Sequence, residues 1–274
     1  MEHYKDKVAI VTGGASGIGR VLCEELGRRG ADVVVADINM EGAQRTASAI
    51  TAAGGKAKAA RLDVTKAEDV RRLIQETAST HGRLDFMFNN AGIAVIGEMR
   101  DMDMDQWHRI IDVNLKGVIY GTTAAYQLMV KQGFGHIVNT ASVAGLFPAP
   151  LETSYATTKY GVVGLSTTLR MEAAGLGVKV SAVCPGFIRT EIFDNTPVLK
   201  APREEAIAII PPSMIGDVSR VARKILRGVA RNKAVIVFPF SYRILRLIYW
   251  LSPSMFEYFS RRFISDFRTL RKDH

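Results

Sequence analysis

Short runs rich in Val, Ile and Ala alternate with stretches of helical period over most of the chain. Lys7 to Thr12, Asp32 to Asp37, Ala57 to Asp63, Leu84 to Asn89, Gly135 to Ala141, Lys179 to Cys184 and Ala234 to Phe238 read as buried strands. Helical patterns lie between them near 17–29, 40–53, 66–80, 103–131, 153–175 and 217–231. Parallel neighbours need crossover connections, and these put helices on both faces of a sheet. The pattern predicts an α/β fold, a doubly wound seven-stranded parallel sheet, with ligands at the carboxyl ends of its strands.

The pattern changes after Phe238. P-F-S-Y-R-I-L-R-L-I-Y-W-L-S-P reads as an amphipathic helix stopped by Pro253, and S-M-F-E-Y-F-S-R-R-F-I-S-D-F-R-T-L as a second. We therefore expect one domain over residues 1–238 and a helical extension over 239–274. Charge follows the same division. Residues 220–274 hold 13 Lys/Arg against 3 Asp/Glu, and the rest hold 23 against 24, so the formal +9 belongs to the end of the chain. Arg243, Arg246, Arg261, Arg262 and Arg268 alternate there with Ile244, Leu247, Ile248, Trp250, Phe256, Phe259, Phe263 and Phe267. Such a surface suits an anionic membrane, and docking on its own domain or on a neighbouring subunit would also hide the aromatic face. No nucleic-acid-binding motif accompanies it, so no nucleic-acid partner is expected.

No run of eighteen apolar residues is present to span a membrane, and M-E-H-Y-K-D-K has no apolar region of a signal peptide. Cys23 and Cys184, the two cysteines, give neither a disulfide framework nor metal-ligand spacing. A cytoplasmic protein without a metal is expected, with peripheral membrane association as the added element.

Candidate chemistry falls just after the strands. T-G-G-A-S-G-I-G, residues 12–19, follows the first. Glycines at 13, 17 and 19 let the backbone approach a pyrophosphate at the next helix's N-terminus, or simply make a strand–helix turn. Asp37 ends the second strand, where a carboxylate accepts ribose hydroxyls and repels a 2′-phosphate, or caps the helix starting near Asn39. No Lys or Arg occurs at 36–39 or within 13–19, which favours NAD over NADP. Asp63 either bonds an adenine edge or caps the helix at Thr65. N-N-A-G, residues 89–92, suits backbone packed closely on a cofactor or a plain turn. Asn114 is a poor residue for a helix interior, so a buried amide there implies a bound water or a helix distortion. An exposed Asn is the plainer option.

Tyr155 and Lys159 stand four apart in a helical stretch and share one face. An ammonium beside a phenol favours the phenolate and lowers its pKa, giving a tyrosine able to exchange a proton. Ser142, at the end of the fifth strand, could face the same spot, and a helix with a solvated lysine and a half-buried tyrosine is the plainer option.

Taken together these residues resemble the short-chain dehydrogenase/reductase family, single-domain NAD(P)-dependent oxidoreductases. The resemblance rests on Thr12-Gly13-x-x-x-Gly17-Ile18-Gly19, Asn89-Asn90-Ala91-Gly92, the tetrad Asn114, Ser142, Tyr155 and Lys159, and the segment Pro185-Gly186-Phe187-Ile188-Arg189-Thr190. It covers roughly residues 5–238. It implies hydride transfer between a nicotinamide and a carbinol carbon, with Tyr155 as general acid/base and Lys159 lowering its pKa and bonding the nicotinamide ribose. Ser142 would hold the substrate oxygen, and Asn114 a water linking Lys159 to solvent. The implied cofactor-binding set is Gly13, Ser16, Gly17, Ile18, Gly19, Asp37, Asp63, Val64, Asn90, Ala91, Gly92, Tyr155, Lys159, Pro185, Gly186, Ile188 and Thr190. A homodimer or homotetramer is implied as well.

Substrate contacts are expected from three loops, 93–102, 143–153 and 187–215, through Ser142, Leu146, Phe147, Phe187 and Phe193. These loops carry many apolar residues, and few charges lie near the catalytic positions. That predicts a lipophilic alcohol or ketone of steroid-, retinoid-, terpenoid-, aromatic or long-chain type. An NADP-dependent ketoacyl-type reductase is the near alternative, and a non-catalytic dinucleotide-binding sensor or scaffold the distant one.

Overall fold

A computed structural model describes residues 2–189, 196–210 and 212–271. Its strands are β1 (Val8–Thr12), β2 (Asp32–Asp37), β3 (Lys56–Arg61), β4 (Phe86–Asn89), β5 (Gly135–Thr140), β6 (Val178–Pro185) and β7 (Val235–Phe238). Every pairing is parallel and the order is β3-β2-β1-β4-β5-β6-β7. Chain direction across the sheet reverses between β1 and β4, which opens a crevice at their carboxyl ends. The strand predicted over 57–63 is the exception to burial. β3 pairs only with β2, so it is an edge, and none of its residues is buried.

The helices are α1 (Gly17–Arg28), α2 (Met40–Ala52), α3 (Ala67–His81), α4 (Met104–Ile111), α5 (Gly117–Gln132), α6 (Thr153–Glu172), α7 (Arg203–Ala208) and α8 (Val218–Ala230), then α9 (Ser241–Leu251) and α10 (Pro253–Thr269). Leu22, Leu26, Ile50, Ile225 and Leu226 close one face of the sheet, and Val70, Ile74, Ala125 and Met129 the other. The single helix expected over 103–131 is two. A π-helical turn, Asp112–Lys116, separates α4 from α5, and Asn114 lies buried inside it. That is the distortion a mid-helix Asn suggests, and π turns of this kind gather at functional sites.

The C-terminal hairpin α9–α10 docks on its own domain. Tyr242 stacks on Phe147 with centroids 6.4 Å apart, and Phe256 lies 5.5 Å from Phe147 and 5.3 Å from Tyr249. Farther along α10, Phe267 and Phe263 pack on Leu151 and Ala206. The end of the chain is clamped by charge. Arg268 donates to Glu98 at 2.6 Å, and Arg271 donates to both oxygens of Asp101. The guanidinium of Arg268 holds Glu98, and that of Arg271 holds Asp101, below the usual carboxylate range. The hairpin thus roofs the loops that follow β4, β5 and β6.

Candidate functional site

The turn from β1 into α1 is tight because its glycines leave no alternative. Gly13 has φ +68°, and a Cβ on Gly19 would lie 1.9 Å from the Gly13 carbonyl oxygen and 2.6 Å from Asn90 Nδ2. Ser16 is the N-cap of α1 but its hydroxyl makes no capping bond. Backbone packed this closely, ending at the positive pole of a helix, forms a cradle that fits a pyrophosphate. Ile18 packs against the core beneath it.

Asp37 holds the cradle from the side. Its Oδ2 accepts from Ala15 N at 3.0 Å and its Oδ1 from Asn39 N at 2.9 Å. The capping role falls instead to Asn39, whose side chain accepts from Gly42 N. Each Asp37 oxygen retains a lone pair for a further donor. Asp63 closes a local turn, accepting from the Thr65 hydroxyl at 2.7 Å and its N–H at 3.0 Å. Val64 packs where Gly117 lacks a side chain.

The Thr12 hydroxyl joins the two strands that flank the crevice. It accepts from Asn90 N at 2.9 Å and Ala91 N at 3.0 Å, and Asn90 Nδ2 donates to Thr12 O. Below it runs a buried network. Asn89 donates to Asn139 at 2.8 Å, and Asn139 donates to Ser166 at 3.0 Å, tying β4 and β5 to α6. Thr12's part, and Asn139 altogether, were not anticipated. A buried amide inside the apolar β5 run is the signal that could have found Asn139.

The four residues of the tetrad come together at the ends of β4 and β5. Asn114 uses both ends of its amide on Ile93, accepting from its N–H and donating to its carbonyl, each at 2.8 Å. Lys159 is 2% exposed, and its Nζ donates to Thr140 O at 2.9 Å and lies 5.3 Å from the centroid of the Tyr155 ring. A Cβ on Gly92 would sit within 3.6 Å of both Asn114 Oδ1 and Lys159 Nζ, so Gly92 makes room for this pair. The Ser142 hydroxyl accepts from Ala144 N at 3.1 Å and donates to Pro185 O at 3.4 Å, and it lies near enough to the Tyr155 phenol to oppose the rise in its pKa.

The electrostatics correct one expectation. Burial raises the Tyr155 pKa above its ordinary value, the Glu152 charge adds to the rise, and the Ser142 hydroxyl works against both. The predicted lowering by Lys159 does not appear, because its ammonium lies against the ring and bonds Thr140. Burial draws Lys159 itself down to about 8.

One carboxylate stands close to the catalytic positions. Glu152, the residue before α6, is half-buried three positions ahead of Tyr155, and burial pushes its carboxyl up to about 7. Leu151 just before it has φ +68°, a left-handed conformation that costs a leucine roughly 1–3 kcal/mol. Packing and a 2.8 Å bond from Gly97 N to Leu151 O hold it there.

Of the residues predicted to meet substrate, Phe147 is buried under Tyr242 and supports the roof, while Leu146 and Phe187 are half-buried. Pro185 ends β6, Ile188 is buried, and Gly186 has the Tyr242 ring against it, 2.1 Å from where a Cβ would stand. Thr190 and Phe193 lie outside the described residues.

Comparison with known proteins follows these features. A family profile described as short chain dehydrogenase matches residues 7–198. A cyclohexanol dehydrogenase of Acinetobacter sp. is 35% identical over 221 residues, 80% of this chain and 86% of that protein. A 3-oxoacyl-(acyl-carrier-protein) reductase of Thermotoga maritima is 36% identical over 224 residues, 82% of this chain and 90% of that one. Among solved structures, a short chain dehydrogenase/reductase from Burkholderia phymatum in complex with NAD superposes with a TM-score of 0.81 at 26% identity, covering 93% of this chain and 96% of that chain. With its sheet order, its strand-end motifs and these matches, the chain belongs to the short-chain dehydrogenase/reductase family.

Proposed function

We propose that this oxidoreductase transfers a hydride between NAD(H) and a lipophilic secondary alcohol or ketone, of steroid-, retinoid-, terpenoid-, aromatic or long-chain type. The observation that carries the reading is Lys159 held against the Tyr155 phenol ring, with Ser142 beside them and next to a glycine cradle that fits a pyrophosphate. Bound nicotinamide supplies the hydride acceptor or donor, and the chain supplies orientation and the proton.

Gly13, Ser16, Gly17, Ile18 and Gly19 would hold the pyrophosphate and Asp37 the adenosine ribose. Asp63 and Val64 would flank the adenine. Asn90, Ala91, Gly92, Pro185, Gly186, Ile188 and Thr190 would border the nicotinamide half. Tyr155 takes the proton from the substrate hydroxyl in oxidation and returns it in reduction. Ser142 bonds the same oxygen and steadies charge gathering there. Lys159, whose ammonium is held at the Thr140 carbonyl, would bond the nicotinamide ribose.

The Thermotoga maritima relative favours a second reading, an NADP-dependent ketoacyl-type reductase. Asp37 weighs against it, since a carboxylate at that strand end repels a 2′-phosphate. One experiment separates them. NAD⁺ and NADP⁺ are titrated, and lipophilic secondary alcohols and small polyols are screened for reduced cofactor. We expect NAD⁺ to bind at least roughly tenfold tighter and lipophilic alcohols to turn over fastest, since only apolar contacts favour them. NADP⁺ preference would support the reductase, faster polyols would sink the lipophilic assignment, and binding without turnover would favour a sensor.

Two further elements concern where the enzyme works. On the outer side of α9, Phe240, Ile244, Leu247 and Leu251 recur at helical spacing beside Trp250, all at least half exposed. Tyr258 and Phe259 continue the apolar surface on α10, and Arg243, Arg246, Arg261 and Arg262 lie exposed around it. Among the described residues no helix is long and apolar enough to cross a membrane. Aromatic and aliphatic side chains flanked by arginines match the surface of an anionic bilayer, so we assign this face to peripheral membrane contact. The chain should float with phosphatidylserine vesicles at low salt, and Trp250→Asp with Phe259→Asp should not. If the wild type stays in the soluble fraction, or forms a larger oligomer that the same changes split, the face belongs to a second copy. Ile119 on α5 with Tyr160 and Met171 on α6 are exposed elsewhere, consistent with a homodimer or homotetramer through those helices.

A further inference from the structure

Among the described residues Glu152 has no structural employment. It occupies the N-cap of α6, where Ser, Thr, Asp or Asn would normally serve, and its side chain makes no capping bond. Among the described residues no cation or hydrogen-bond donor offsets the cost of its burial, which is the sole cause of its raised pKa. Half-buried carboxylates without partners are uncommon, because desolvation without compensation is unfavourable. The neighbouring backbone adds strain, since Leu151 is held left-handed immediately before it. A costly side chain presented by a strained residue is the pattern of a binding group. Its location agrees, because its charge reaches both Tyr155 and Tyr242, the first at the reaction centre and the second in the roof.

We propose that Glu152 is a specificity-determining residue that accepts a hydrogen bond from a second hydroxyl on the substrate, a few bonds from the reacting carbinol. The inference rests on the alcohol-oxidising reading and refines it. The substrate is then a lipophilic diol or hydroxyketone, with one polar group at Tyr155 and Ser142 and another at Glu152. Carbons between and beyond them lie against Leu146 and Phe187. A carboxylate is apt for this task. It can only accept when ionised and can also donate when protonated, so a neighbouring hydroxyl always finds a complementary partner.

The test compares cyclohexanol with the 1,2-, 1,3- and 1,4-cyclohexanediols on the wild-type chain, Glu152→Gln and Glu152→Leu, with NAD⁺ affinity as a control for folding. On the wild type, kcat/KM for at least one diol should exceed that for cyclohexanol by roughly ten- to a hundredfold, the worth of a hydrogen bond to a charged group. Glu152→Leu should abolish or invert that preference, chiefly through KM for the diol, while cyclohexanol oxidation gains because the Glu152 charge no longer helps hold the Tyr155 proton. Glu152→Gln, nearly isosteric and still an acceptor, should keep part of it, and it carries the test if the leucine variant fails to fold. Wild-type turnover with no diol preference, or a preference unchanged in both variants, overturns the assignment of Glu152 and leaves the reaction class standing. Absence of turnover on every probe counts against the reaction class, and the inference falls with it.

Discussion

Tyr155→Phe should fold, bind NAD⁺ with wild-type affinity and lose roughly 10²–10⁴ in kcat, the usual contribution of a positioned general acid/base. The change removes one oxygen. The ring remains, so its packing at the start of α6 and its contact with the Lys159 ammonium survive. Lys159 keeps its bond to Thr140 O, and Asn114 its pair with Ile93, so the rest of the tetrad has no cause to move. What disappears is the hydroxyl proposed to exchange a proton with the substrate oxygen, near Ser142. The pH dependence distinguishes this role from mere packing. Burial first and Glu152 second hold the Tyr155 proton tightly, so alcohol oxidation in the wild type should accelerate as pH rises. The residual rate of the Phe variant should lose that limb. Stopped-flow measurement of NADH formation across the alkaline range reads both features. A Phe variant that keeps half the wild-type rate would falsify the assignment.

The fold was legible because its signals are local and repeated. Each β-branched run is bounded by a glycine or a helix start, and six of the seven predicted strands carry the burial a parallel sheet demands. The edge position of β3 was not legible, since strand order depends on crossovers that no single run records. Asn114 announced itself as a misfit within a helical pattern, and the π turn is the answer. Glu152 announced nothing. A glutamate at the start of a helix is ordinary in sequence, and its isolation exists only in the fold, where its side chain is half-buried without a capping bond. The direction of the Tyr155 shift was misread for a related reason. The i, i+4 spacing gives proximity to Lys159, but not where the ammonium points, and the Thr140 carbonyl decides that. The hairpin followed the same rule. Its amphipathic pattern was plain, while its docking through Tyr242 on Phe147 and through the Glu98–Arg268 and Asp101–Arg271 pairs required partners far away in the chain, 170 residues for each ion pair.

Gly19→Ala should be the most damaging single methyl group in the cradle. The conformation of Gly19 is not the obstacle, because only Gly13 and Gly17 in this turn have positive φ. Space is the obstacle. The added carbon would lie 1.9 Å from the Gly13 carbonyl oxygen, 2.7 Å from its carbonyl carbon and 2.6 Å from Asn90 Nδ2. Two of those atoms are backbone and cannot swing aside. The third holds β4 to β1 through Thr12 O. Relief therefore requires the β1–α1 turn to open, which separates the groups meant to hold a pyrophosphate. Overpacking of this kind costs roughly 1–3 kcal/mol, or a fall in Tm of several degrees for a chain of this size at about 2–4 °C per kcal/mol. NAD⁺ affinity should fall by at least roughly a hundredfold, since the opened turn forfeits about 3 kcal/mol or more of anion contacts. Gly164→Ala is the matched control. It lies within α6 with nothing inside 4 Å of its added carbon, so helix propensity should make it neutral or stabilising by up to about 1 kcal/mol. Calorimetry on both variants separates the two consequences of the cradle. A Gly19→Ala chain that melts early but binds NAD⁺ normally would show that the glycine serves the turn alone, and that the pyrophosphate lies elsewhere. Loss of binding beyond what the fall in Tm explains would tie the tightest backbone crossing in the crevice to the cofactor.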